Sequence, residues 1–194
     1  SSDVCSSDLY MADKVLEYKQ KYSLGFALYG TPSESLCDRF ARVDKQEFGD
    51  IKGVTDKGYY DNSFHVSSRI NMSPFDKLRL EALGHKYSAG GHISYIETDS
   101  LTKNLEAIPD ILRYAKMVGI HYMGINQPVD KCHICGYKGE FTATKEGFTC
   151  PQCGNHDSNE MSVIRRVCGY LSQPNARPFN KGKQEEIMHR VKHS

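Results

Sequence analysis

The sequence has 194 residues, 39% apolar and 25% charged, with a formal charge of +1 at pH 7. Such a chain can bury a core and carries no polyelectrolyte field, so bulk charge gives no reason to expect nucleic acid as a partner. No apolar run reaches transmembrane length and the N-terminus lacks the basic-then-apolar order of a secretory signal, so the expected compartment is the cytoplasm.

Residues 1–10 open with SSDVCSSDL, a near-duplicated Ser-Ser-Asp unit without amphipathic period, and read as a non-native or disordered flank in which Cys5 has no role. From Met11 to Tyr22, apolar Val15, Leu16 and Tyr18 among Lys, Glu and Gln predict a helix. SLGFALYG, punctuated by Gly25 and Gly30, reads as a buried strand or a tight crossing. Thr31 and Pro32 then have the order of an N-cap and first helical residue, with Glu34 in the first turn and Leu36, Phe40 and Val43 as the inner stripe. Cys37 falls on the apolar flank of this helix and reads as core.

After the glycine-rich GDIKGVTDKG, the segment YYDNSFHV fits a strand or an ordered loop near a functional surface. Asn71-Met-Ser73-Pro74 starts another helix, with Phe75, Leu78, Ala82 and Leu83 on its core face. GGHISYIE alternates as a strand does. Leu101 to Met117 reads as a helix with Ile108, Leu112 and Ala115 in register and a kink or restart at Pro109, and Ile120 to Ile125 as the next strand. Helix and strand thus alternate to about Asn126, the rhythm of an α/β sheet or barrel with crossover helices.

Cys132-His-Ile-Cys135 and Cys150-Pro-Gln-Cys153 form C-x2-C pairs separated by fourteen residues. Two residues between cysteines let one knuckle aim both sulfurs at one ion, and Gly136 and Gly154 supply the positive φ such knuckles favour. FTATKEGFTC between the pairs reads as a hairpin that brings them together. Four thiolates close a tetrahedral shell and leave no place for substrate, so the expected metal is structural; zinc is favoured, although a rubredoxin-like iron centre accepts the same geometry. His133 and His156 are surplus to that shell. The module's basic residues Lys131, Lys138 and Lys145 are offset by Glu140 and Glu146, so the electrostatic footprint of a nucleic-acid-binding ribbon is missing.

Beyond the second pair the chain reads Arg166-Val-Cys-Gly169-Tyr170 and then Ala176-Arg-Pro-Phe-Asn-Lys-Gly-Lys183. The first resembles the glycyl-radical signature. Together with the upstream four-cysteine site, the downstream RPFNxGK, and the segments GTPSESLCDRFARVD, YYDNSFHV and GGHISYIE, the sequence is similar to the anaerobic (class III) ribonucleoside-triphosphate reductases from about Met11 onward. Ser172 departs from the signature's usual glycine or small apolar residue, and Asp61 stands where threonine is expected.

The resemblance implies an α/β fold that is the C-terminal part of a glycyl-radical-enzyme barrel. Residues 11–127 would be a partial barrel, 128–157 a zinc module held by Cys132, Cys135, Cys150 and Cys153, and 158–194 the glycyl-radical loop and a C-terminal helix. It further implies an oxidoreductase of deoxyribonucleotide synthesis that serves DNA replication and stores its radical on Gly169. The implied partners are an S-adenosylmethionine-dependent activating enzyme, a ribonucleotide substrate, formate or a thiol reductant, and a second copy in a homodimer. The thiyl cysteine and the ATP-binding regulatory region of such enzymes lie upstream, so this chain alone should be inactive. Cys168, next to Gly169, is left a packing or subsidiary role, because neighbouring side chains of an extended loop point apart. Other readings are a different glycyl-radical enzyme such as a pyruvate formate-lyase relative, a radical-domain spare part, and a non-catalytic zinc-ribbon binding module.

Overall fold

The computed structural model describes residues 2–32, 35–61, 64–101, 104–167, 170–173 and 179–193. Helix α1 spans Ser2–Tyr22, so it begins inside the segment read as a flank; it packs on the later helix Pro74–Tyr87 and buries Asp8. The SLGFALYG segment is a crossing and not a buried strand: Leu24, Phe26 and Tyr29 are exposed, and Tyr29 makes a single parallel bridge to Gly91. Gly90 donates its N–H to the Leu28 carbonyl at 2.7 Å, and a Cβ on Gly90 would lie 2.8 Å from that oxygen. The approach therefore requires glycine.

Helix α2 spans Leu36–Phe48 and begins later than the Thr31-Pro32 pair predicts. Ser35 stands at its N-cap without a side-chain bond, and its carbonyl accepts a hydrogen bond from Asn180 Nδ2, a partner 145 residues away that no local pattern reveals. The expected inner stripe is also displaced, since Leu36, Phe40 and Val43 are exposed whereas Cys37 and Ala41 are buried. The small residues face inward because helix α5 (Lys181–His189) lies close there: a Cβ on Gly182 would stand 3.0 Å from the Cβ of Asp38.

Of the two readings for YYDNSFHV, the ordered loop is observed over its described residues. Tyr59 is fully buried under Arg69, Tyr60 donates its hydroxyl to Asp44 at 2.7 Å, and Asp61 accepts from Lys57 Nζ at 2.6 Å and from Ser68 N at 3.0 Å. Helix α3 (Pro74–Tyr87) starts where the sequence places it, with Ser73 Oγ accepting from Asp76 N at 3.1 Å and Pro74 in the first turn. Phe75 and Leu83, expected in its core face, are exposed.

Strands β1 (Ser94–Glu97) and β2 (Met123–Asn126) pair in parallel, Ser94 opposite Met123, and helix α4 (Ala107–Val118) crosses between them. Pro109 interrupts nothing, because it lies in the first turn of α4, where no intrahelical donor is needed. Ile111 and Ala115 form the buried face with Leu78, Ile96 and Ile120; Leu112, expected inside, is exposed. The described residues thus hold one βαβ unit, and its two-stranded sheet is smaller than a closed barrel needs. Among them no helix is long and apolar enough to cross a membrane.

The remaining strands are antiparallel. Strand β3 (Asp130–Cys132) lies between β4 (Lys138–Gly139) and β7 (Met161–Ser162). The expected hairpin between the cysteine pairs is formed by β5 (Thr142–Thr144) and β6 (Gly147–Thr149). Strands β8 (Arg165–Val167) and β9 (Tyr170–Ser172) form a second hairpin. Ile187 of α5 touches the apolar core of the cysteine module (Phe141, Phe148, Met161, Val163) and also the cluster of Cys37, Val167 and Phe179, so one helix joins module, hairpin and α2.

Candidate functional site

The two knuckles turn as their glycines require. Gly136 has φ +76° and donates to Cys132 O at 3.1 Å, and Gly154 has φ +71° and donates to Cys150 O at 2.9 Å. The sulfurs of Cys132, Cys135, Cys150 and Cys153 consequently lie within 4.8 Å of one another, with Cys132 to Cys153 and Cys135 to Cys150 both at 3.7 Å. A zinc–sulfur bond of about 2.3 Å implies tetrahedral edges of about 3.8 Å. The four thiols fit a zinc ion at their centre. Backbone N–H groups of Cys135 and Ile134 bond the Cys132 sulfur, and Asn155 Nδ2 points at the same sulfur from 3.7 Å. Asn155 escaped the sequence reading because an amide after a knuckle glycine looks like any turn residue.

Neither nearby histidine joins the shell. His133 Nε2 lies 3.0 Å from Ser162 Oγ, and His156 Nδ1 lies 3.5 Å from the Gly154 carbonyl.

Cys168 and Gly169 lie outside the described residues; the strands on both sides of them are placed. Val167 stands opposite Tyr170 and is fully buried against Cys37 and Phe179. Three side chains fix β8. Arg165 forks onto Asp130, the first residue of the strand that ends in Cys132. Arg166 stacks on the Tyr95 ring, 5.1 Å from its centre, and donates to its hydroxyl at 3.0 Å. Arg190 Nη1 donates to the Arg166 carbonyl at 2.7 Å. The first link ties the hairpin to the cysteine module, and the second ties it to β1. None of these partners was legible in sequence, where Asp130 and Arg190 belong to no motif.

The described part of the RPFNKGK run serves the same region. Phe179 is buried with Val167, Asn180 Oδ1 caps α5 by accepting from Lys183 N at 3.0 Å, and Gly182 admits α2.

Fold and site together define a mixed α/β protein with a four-cysteine cluster able to hold a metal ion, packed beside a short hairpin. The family model for anaerobic ribonucleoside-triphosphate reductases matches residues 9–193, and the chain belongs to that family. It is 52% identical over 177 residues to the anaerobic ribonucleoside-triphosphate reductase of Escherichia coli (strain K12), covering 91% of this chain and 25% of that protein. It is 48% identical to the enzyme of the same name from Enterobacteria phage T4, over 91% of this chain and 29% of the phage protein. The chain therefore spans about a quarter of the length of these relatives. A solved anaerobic ribonucleotide reductase superposes with a TM-score of 0.69 at 21% identity over 94% of this chain and 27% of that one, a likeness of fold.

Proposed function

We propose that this chain is the C-terminal portion of an oxygen-sensitive ribonucleotide reductase, that residues 11–127 complete a barrel with upstream segments, and that Gly169 stores the radical. The observation that carries this reading is the anchoring of the hairpin around Gly169: its first strand is bound to the cysteine module through Arg165 and Asp130 and closed over by Phe179. Loss of a Cα hydrogen leaves glycine a planar centre delocalised over the flanking amides, and no side chain resists that planarity. Shielding and positioning are what the surrounding chain contributes.

Cys132, Cys135, Cys150 and Cys153 would hold zinc, which with a full sulfur shell supplies structural cross-linking and no open coordination position. An activating enzyme cleaves S-adenosylmethionine with one electron from a reductant, and the carbon radical so formed takes up one of the two Cα hydrogens of Gly169. In turnover the S–H bond of an upstream cysteine breaks and the Cα–H bond of Gly169 forms again, and the resulting thiyl acts on the ribose of the nucleotide. Formate or a thiol protein supplies the electrons, and the protein works as a cytoplasmic homodimer.

The test is anaerobic incubation of the full-length protein with its activating enzyme, S-adenosylmethionine and a reductant. A doublet electron-spin signal that Gly169→Ala abolishes is expected. Silence with an activator competent on another substrate protein would instead favour a zinc-ribbon binding module.

A further inference from the structure

The four residues after α5 are bound across the α/β layer. Val191 N donates to Ser68 O at 2.8 Å, His193 N donates to Glu97 O at 2.8 Å, and Glu97 N donates back to His193 Nδ1 at 2.9 Å. Ser94 N and Thr98 N bond toward the β2 side of β1, so the polar groups of Glu97 face the opposite edge, which this segment covers.

Arg190 leads this segment, and its guanidinium reaches three elements at once. Nη2 donates to Glu186 Oε1 of α5 at 2.5 Å, while Nη1 donates to Glu97 Oε1 of β1 at 3.0 Å and to the Arg166 carbonyl of β8 at 2.7 Å. Glu97 Oε1 also accepts from Asn126 Nδ2 at 3.0 Å, which brings β2 into the same network. Glu97 and Arg190 are both mostly buried, so their charge-assisted bonds are little screened. A planar fork satisfies such divergent acceptors; a lysine ammonium in its place would satisfy fewer of them at once.

We infer that Arg190 is a positioning residue: by holding the Arg166 carbonyl against the Glu97 edge of β1, it sets where β8 lies beside the α/β layer and so where the chain enters the segment that carries Gly169. Arg190 acts through Arg166 and does not touch substrate. The inference rests on the reading of Gly169 as the radical site, and its placement half can be tested apart from that reading.

In the full-length protein, Arg190→Gln and Arg190→Lys are compared with the unaltered chain by hydrogen exchange over residues 165–172 and by decay of the doublet under argon. Loss of the charge-assisted bond to the Arg166 carbonyl is expected to speed exchange there about tenfold in Arg190→Gln. Exchange across α4 should be unchanged, the doublet should decay severalfold faster, and Arg190→Lys should fall between. If Arg190→Gln does not fold, Glu97→Gln should show the same pattern in weaker form. Unaltered exchange over 165–172 in the variant that folds overturns the inference. A faster exchange without any doublet in the unaltered protein upholds the placement of β8 by Arg190 and defeats the radical reading.

Discussion

Asp130 accepts both arms of the Arg165 guanidinium, at 2.5 and 2.6 Å, and is itself fully buried. The same carboxylate takes the N–H of Phe141 at 2.8 Å, so one side chain organises the start of β3, the entry to β5 and the start of β8. Removing one member of such a pair strands the other in a poorly solvated site, at a cost of about 3–5 kcal/mol. Arg165→Ala should therefore destabilise by that order in denaturant unfolding, and Asp130→Ala similarly. The double variant should lose much less than the two added together, as a double-mutant cycle would reveal; simple additivity would mean that the contact carries no coupling.

For the metal, the expected stoichiometry is one zinc per chain. Cys132→Ser removes one of the four sulfurs, and metal content by elemental analysis should fall while the β4–β3–β7 sheet and the β5–β6 hairpin lose exchange protection. Full metal content with unchanged protection in that variant would contradict a four-sulfur site. His133→Ala, by contrast, should leave the zinc in place, because its ring bonds Ser162.

Gly182 explains the glycine in RPFNKGK by proximity. A methyl group there would stand 3.0 Å from Asp38 Cβ and 3.1 Å from both Asp38 Cα and Tyr59 Cβ, none of which is the free end of a flexible chain. Gly182→Ala should raise helix propensity and yet destabilise, by about 1–3 kcal/mol, because α5 must move off α2. A stabilised Gly182→Ala protein would mean that the two helices part at no cost.

How much of this was legible depends on the range of the interactions involved. The knuckles, the β5–β6 hairpin and the Ser73-Pro74 helix start are decided by residues within a few positions of one another, and the structure places them where local chemistry puts them. The inward face of α2 is decided by Gly182, far along the chain, and so a period count that favoured Leu36, Phe40 and Val43 chose the wrong side. SLGFALYG has the composition of a strand but meets the close glycine pair at Gly90 and Gly91, and forms one bridge in place of a ladder. Cys37 was rightly read as core, whereas the partners that fix the hairpin, Asp130 and Arg190, carry no spacing signal at all.

A buried imidazole group should make stability fall in mild acid. His85 accepts the His121 N–H at Nδ1, 3.2 Å away, and places Nε2 3.0 Å from Ser94 Oγ, an arrangement that leaves the proton on Nε2 and the ring neutral. Burial, then the neighbouring His121, push its pKa down to about 4, with Glu81 opposing and His65 adding to the shift; His92, 4.5 Å away ring to ring, is likewise brought down to about 4, chiefly by burial. Between the ordinary imidazole value of 6.5 and about 4 the unfolded chain binds protons that the folded chain refuses. Their contribution is thus fully present above pH 6.5 and is lost as pH falls through this window, by up to about 1.4 kcal/mol per pH unit for each ring. Unfolding midpoints measured at pH 7 and pH 5 should differ less in His85→Gln than in the unaltered protein, since the substituted side chain binds no proton in either state. Should that variant not fold, His92→Gln should narrow the gap in the same direction; an undiminished difference in the variant that folds would show that the acid sensitivity arises elsewhere.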